Sequence, residues 1–126
     1  MRIVNHSRPK NLNLFTIHFP IPAIVSILHR VTGAFLFLMI PVVMYAWQLS
    51  LTYNGFDRLR FWMHAIHFKL LIWLLFIPFI FHLVAGVRHL LSDIHFGDSL
   101  KLGRLMAQLT FVVTALLVII VGIWLW

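Results

Sequence analysis

The sequence contains no cysteine and carries little charge. Without cysteine the chain has no disulfide, no thiolate zinc site and no iron–sulfur cluster of its own. Only 10% of its 126 residues are charged, whereas a soluble domain carries charge on about a quarter of its residues. With 62% hydrophobic residues arranged in long runs, the composition excludes a water-soluble domain and indicates an integral membrane protein.

Acidic residues are scarce, since three Asp and no Glu stand against ten Lys and Arg, for a formal net charge of +7. In a soluble protein this balance would suggest nucleic-acid binding. Here the basic residues flank hydrophobic segments, where such residues set topology and contact anionic lipid or partner proteins. No single face outside the membrane collects them, so we expect the lipid bilayer, and not nucleic acid, as their partner.

Three charge-poor segments predict an all-α membrane protein with three transmembrane helices. Val31–Leu51 alone is long enough to cross about 30 Å of hydrocarbon at about 1.5 Å per residue. The stretch Asn54–Asp57 predicts a turn, with Asp57 as the N-cap of the next helix. We expect one membrane-anchor domain over residues 1–126, with helices over about residues 22–51, 58–92 and 100–126.

The basic residues predict the orientation in the membrane. An odd number of spans puts the N-terminus and the loop between the second and third spans on one side. Of the basic residues, at most three lie on the opposite side, namely Arg58, Arg60 and Lys69. The positive-inside rule therefore predicts a cytoplasmic N-terminus and a periplasmic C-terminus. The other side carries seven: Arg2, Arg8, Lys10, Arg30, Arg88, Lys101 and Arg104.

His82 lies inside the second predicted span, six positions and about 9 Å deeper than Arg88. Both of its ring nitrogens need partners at that depth. The partners could be polar groups of a neighbouring helix, or a haem iron could bind one of the two nitrogens. His82, Gly86, His89 and Asp93 fall on one stripe of the helix. Gly86 leaves room for a flat cofactor or for close helix packing, so position alone leaves both interpretations open.

A second polar cluster lies at the cytoplasmic end of the first predicted span. His29 and Arg30 lie three and four positions after Ser26, so one helix face presents a hydroxyl, an imidazole and a guanidinium. This cluster shares a membrane side with Arg88, His89 and Asp93. The simplest alternative is that Arg30 reaches the lipid headgroups, with Asp93 neutralising Arg30 or Arg88.

The two segments that contain these clusters resemble sequence signatures of the cytochrome b subunits of succinate dehydrogenase. Arg8-Pro9 followed by Ser26–Thr32 resembles the N-terminal signature of that family, and His82–His89 followed by Asp93 resembles its second signature. Order, separation and the three-span layout are similar over nearly the whole chain. Three positions near the surface depart from the family pattern, namely Lys10, Ser92 and His95.

The resemblance implies roles for individual residues. His82 is expected to be an axial ligand of haem b, and thus to bind its iron, with the second axial histidine on a partner subunit. Ser26 and Arg30 are expected in the quinone site. Three residues are expected near the haem propionates or behind the ligand: His29, Arg30 and His89. Asp93 is expected to tune Arg30 or to deliver protons.

The resemblance also implies an assembly and an activity. Subunits of this family pair with a second three-helix anchor subunit, share haem b with it, and hold a flavoprotein subunit and an iron–sulfur subunit. The expected function is ubiquinone reduction with electrons from the iron–sulfur subunit, in a bacterial inner membrane or, if organelle-encoded, a mitochondrial inner membrane. Two alternatives remain: a fumarate reductase anchor, and a non-redox transporter or assembly subunit in which His82 and Arg30 relay protons or pack.

Overall fold

The computed structural model describes residues 19–95 and 99–126, which are helical over almost their whole length. Of the four helices in this part of the chain, all except the second are long and apolar enough to cross a membrane. This confirms the predicted all-α architecture with three candidate transmembrane helices. The helices are α1 (Ile21–Ser50), α2 (Tyr53–His64), α3 (Ile66–Asp93) and α4 (Leu100–Leu125).

The first span begins at a pair of prolines. Pro20 is the extended N-cap residue of α1, and Pro22 lies in the first turn, where a backbone donor is not needed. The helix then continues through Pro41 to Ser50. Its bounds differ by one residue at each end from the predicted 22–51. Arg8-Pro9 and Lys10, which belong to the resembling N-terminal segment, lie outside the described residues.

The second predicted helix, 58–92, is divided into two helices in the structure. Ala65, with φ −76° and ψ 131°, is extended and separates α2 from α3. The turn predicted at Asn54–Asp57 is wrong, because these residues lie inside α2 and its N-cap is Thr52, not Asp57. Gly55 serves close packing instead, since a Cβ there would overlap the Leu49 carbonyl oxygen at the end of α1.

The connection from α3 to α4 uses two common helix-end features. After the C-cap residue Ile94, His95 adopts a left-handed backbone with φ 60°, which is typical of the residue following a helix. Ser99 caps α4, where its hydroxyl accepts a hydrogen bond from the Leu102 amide at 3.2 Å. The predicted third helix, 100–126, therefore matches α4 closely.

The interior of the bundle is narrow and lies mainly between α3 and its neighbours. Buried residues of α4 recur every three or four positions, at Ala107, Thr110, Thr114 and Val118. The two threonine hydroxyls donate to carbonyls one turn earlier, so they bury no free donor. Most large apolar side chains are exposed instead, among them Phe37 at 70%. Such a surface suits hydrocarbon or another subunit as its surroundings.

Candidate functional site

Three histidine rings meet where α1 packs against α3. The rings of His29 and His82 are stacked, with centroids 4.2 Å apart and planes inclined by 11°. The ring of His89 lies two turns further along α3, with its centroid 5.0 Å from that of His29. The part of the predicted stripe formed by His82, Gly86 and His89 therefore faces α1, where all three contact His29.

Hydrogen bonds to α1 hold the His82 ring. Its Nδ1 lies 3.0 Å from the His29 carbonyl oxygen. A carbonyl oxygen accepts but cannot donate, so Nδ1 carries the hydrogen of this bond. In a neutral ring the Nε2 lone pair is then available, which is the tautomer that a metal-binding histidine adopts when a backbone carbonyl holds its other nitrogen.

Thr32 completes this arrangement. Its hydroxyl donates to the Leu28 carbonyl at 2.8 Å and lies 3.3 Å from Nδ1 of His82. The threonine oxygen is thus a second acceptor within reach of the same N–H. Thr32 belongs to the motif Ser26–Thr32, but the sequence alone does not indicate a role for it. Its position one turn after His29, on the same face, was the available indication.

Two glycines allow the helices to approach at this level. A Cβ built on Gly33 would lie 2.8 Å from Cε1 of His82. A Cβ built on Gly86 would lie 3.4 Å from Nε2 of His29, which is an ordinary contact. Gly33 is therefore the position where a side chain is incompatible with the observed ring.

Two buried side-chain nitrogens have no hydrogen-bond partner, one in the histidine cluster and one on α3. Nε2 of His29 and Nε of Arg88 are buried and make no hydrogen bond. Burying such groups unpaired costs free energy, so they fit a polar group supplied from outside the chain. Within residues 19–95 and 99–126, no group of three or more His, Cys, Asp or Glu side chains could hold a metal ion. A single imidazole can nevertheless ligate a haem iron, and the hydrogen bond from Nδ1 holds His82 in the tautomer that this requires.

The structure does not bring Arg30 or Asp93 into the histidine cluster by any hydrogen bond or ion pair. Arg30 and Asp93 are exposed, and Ser26 is half-buried. In the described part of the chain, none of the three side chains makes a hydrogen bond or an ion pair. Within the described residues, Asp93 therefore forms no ion pair with Arg30 or with Arg88. All three are open to groups outside the chain.

Comparison with known proteins gives the family. The model of the succinate dehydrogenase/fumarate reductase transmembrane subunit family matches residues 4–121. The chain belongs to this family. A succinate dehydrogenase cytochrome b556 subunit of Coxiella burnetii is 38% identical over 98% of this chain and 100% of its own length. Those of Rickettsia felis and Rickettsia conorii are 32% and 29% identical, over 78% and 95% of this chain and 77% and 94% of their own lengths.

Family membership determines the class of protein. The chain is a multi-pass membrane subunit of succinate dehydrogenase, a part of the succinate:quinone oxidoreductase complex that does not catalyse the reaction alone. The fumarate reductase and non-redox alternatives are not favoured, because these relatives are all cytochrome b556 subunits of succinate dehydrogenase. The relatives are bacterial, and nothing supports the mitochondrial alternative.

Proposed function

We propose that this subunit ligates haem b through His82 and forms part of the site at which ubiquinone takes electrons from the iron–sulfur subunit. The observation that carries the proposal is the hydrogen bond from Nδ1 of His82 to the His29 carbonyl. This bond holds the His82 ring, which belongs to α3, against α1. It leaves Nε2 as the nitrogen that would bind iron.

Haem b, when bound, supplies one-electron redox chemistry to the complex. Around it, His29, His89 and Arg30 would lie near the propionates, where cations and N–H donors lower the cost of burying carboxylates. The buried, unpartnered Nε2 of His29 supports this role, since it needs a polar partner that the described residues do not supply.

The second axial histidine is expected from the second three-helix anchor subunit, which would share the haem. Among the described residues His29 is the histidine nearest to His82, but the two rings lie face to face at 4.2 Å. Stacked rings point past each other and not at a common iron between them. A ligand from the other subunit is therefore the arrangement that the geometry favours.

Ser26 and Arg30 are the proposed quinone ligands in this subunit. They lie one turn apart on α1, so a hydroxyl and a guanidinium can approach one small molecule. A hydroxyl can donate to a quinone oxygen, and a fixed cation stabilises the negative charge that reduction places on it. Asp93, open at the end of α3, would tune Arg30 or deliver protons.

An exposed Arg30 in a bilayer needs a polar neighbour, because charged groups inside membranes face protein or water. The proposed neighbours are the second anchor subunit and the iron–sulfur subunit, which with the flavoprotein subunit would lie on the cytoplasmic face of a bacterial inner membrane. This requires the predicted orientation, with the N-terminus in the cytoplasm and the C-terminus in the periplasm.

The test is the absorbance of the purified complex carrying His82→Ala, recorded as a reduced-minus-oxidised spectrum. We expect the b-type bands to be lost or shifted, because the imidazole is removed. His67→Ala is the matched control, since residue 67 is fifteen positions away and about 22 Å along the helix. An unaltered spectrum from the assembled His82→Ala complex contradicts the ligand assignment.

A further inference from the structure

A cavity lies at the end of the bundle opposite to the histidine cluster. Its volume is about 510 Å³, and it is bounded by Ser50 at the end of α1, Lys69 in the first turn of α3, and Trp124 near the end of α4. The short helix α2 contributes residues to its wall. Because three spans end here, the cavity is at the level of one membrane surface, the periplasmic one in the predicted orientation.

One face of α2 lines this cavity. The wall includes Phe56, Leu59, Arg60 and Met63. These residues occupy positions i, i+3, i+4 and i+7, which lie on one face of a helix. Arg58, two positions from Arg60, is about 200° round the helix and does not line the cavity. The helix is therefore turned with one arginine towards the cavity and the other away from it.

The cavity has a mostly apolar wall with two basic residues in its lining. Arg60 and Lys69 lie on different helices and both contribute to the lining, as does His64, while no carboxylate among residues 19–95 and 99–126 does. Only three basic residues are predicted at this membrane surface, Arg58, Arg60 and Lys69, and two of them line this one cavity. The lining is complementary to an amphiphile with an anionic head.

We propose that this cavity binds an anionic phospholipid, with its phosphate between Arg60 and Lys69. The acyl chains would lie against the apolar wall, which includes Phe56, Met63 and Leu125. Lys and Arg side chains commonly extend along apolar surface and keep their charge at the headgroup level. Trp124 at the rim suits the same level, where indole rings are frequent.

The apolar wall distinguishes a lipid from a soluble anion. Free phosphate would gain from the two cations but nothing from aromatic and aliphatic side chains, whereas acyl chains would cover them. A bound lipid would also connect α2 to the ends of α1, α3 and α4. The site lies apart from the proposed haem and quinone residues, so the proposal does not depend on them.

The experiment measures lipid retained by the complete purified complex, using native mass spectrometry after addition of phosphatidylglycerol. Arg60→Gln and Lys69→Gln are each expected to lower retention by about fivefold, and the double variant by about thirtyfold. Arg58→Gln removes the same charge from the same helix but outside the cavity, and it should retain the lipid. Co-purification of the other succinate dehydrogenase subunits with each variant checks that the complex is assembled.

Several results would overturn the proposal. Equal loss of lipid from Arg58→Gln would mean that only general surface charge attracts lipid. Displacement of phosphatidylglycerol by millimolar inorganic phosphate would point to a soluble anion, and equal retention of phosphatidylcholine would remove the requirement for an anionic head. A cross-linker placed at Met63 that captures another subunit in high yield would show that protein fills the cavity.

Discussion

Gly33 on α1 lies against the edge of the His82 imidazole on α3. A Cβ at position 33 would be 2.8 Å from Cε1 of His82, closer than unbonded carbon atoms pack. The same ring is hydrogen-bonded to the His29 carbonyl one turn earlier on α1. The position of the His82 ring therefore depends both on the lack of a side chain at Gly33 and on the hydrogen bond to the His29 carbonyl.

Gly33→Ala should displace the His82 ring. Because the ring would have to leave the His29 carbonyl or push the helices apart, we expect a cost of about 1–3 kcal/mol. The haem bands of the complex should shift or weaken, measured by a reduced-minus-oxidised spectrum. Gly86→Ala is the control, since its Cβ would be 3.4 Å from the nearest atom of His29. Identical spectra for both variants would contradict the geometry.

Thr32→Val should weaken haem retention without removing the ligand. Valine keeps the shape of threonine but loses the oxygen that lies 3.3 Å from Nδ1 of His82. Removing a group behind a metal ligand lowers affinity by about 10–100-fold, and we expect the lower end because the His29 carbonyl remains. The measurement is haem transfer from the complex to a soluble haem-binding protein. Thr32→Ser should restore retention, and a failure to do so would indicate a packing effect.

Arg30→Ala should separate the two half-reactions of the complex. Loss of a charged hydrogen bond to the quinone costs about 1.5–3 kcal/mol, so quinone reduction should fall on the order of 10- to 100-fold. Succinate oxidation with a soluble artificial acceptor should persist, because it does not use the membrane site. Arg104→Ala, on α4, is the control for charge at this membrane surface. Equal loss of both activities would assign Arg30 to assembly instead.

Hydropathy and charge predicted the number of spans and nearly all of their ends. They failed at residues 53–65, where Asn54-Gly55 is typical of a turn but lies in α2. The error has a physical cause, because Gly55 is required by contact with the Leu49 carbonyl and not by a turn. Such contacts depend on how α1 and α2 pack, which a single sequence does not reveal.

The candidate site was predicted in part. The sequence placed Ser26, His29 and Arg30 on one helix and His82 and His89 on another, but it did not indicate which would touch. In the structure His29 faces α3 and meets the other two histidines, whereas Arg30 is exposed. Helix rotation decides between these outcomes, and it depends on close contacts such as that between Gly33 and the His82 ring.

The pairing of α3 with α4 has its own specific contact inside the membrane. The indole Nε1 of Trp73 donates to the Val118 carbonyl at 2.9 Å, and a Cβ at Gly122 would lie 3.0 Å from the same nitrogen. Trp73→Phe removes the donor and should destabilise the subunit by about 0.6 kcal/mol and at most about 1.7. Thermal unfolding of the complex in detergent measures this, with the exposed Trp47→Phe as control.

Gly122→Ala should cost more when Trp73 is present than when it is replaced. With tryptophan in place, the added methyl group pushes on the indole and stretches its hydrogen bond, whereas the smaller phenyl ring of Trp73→Phe leaves room for it. The two changes should therefore be coupled by at least about 0.5 kcal/mol in a double-mutant cycle on the assembled complex. Additive effects would mean that the indole does not rest on Gly122, and that α3 and α4 are held together by their apolar contacts alone.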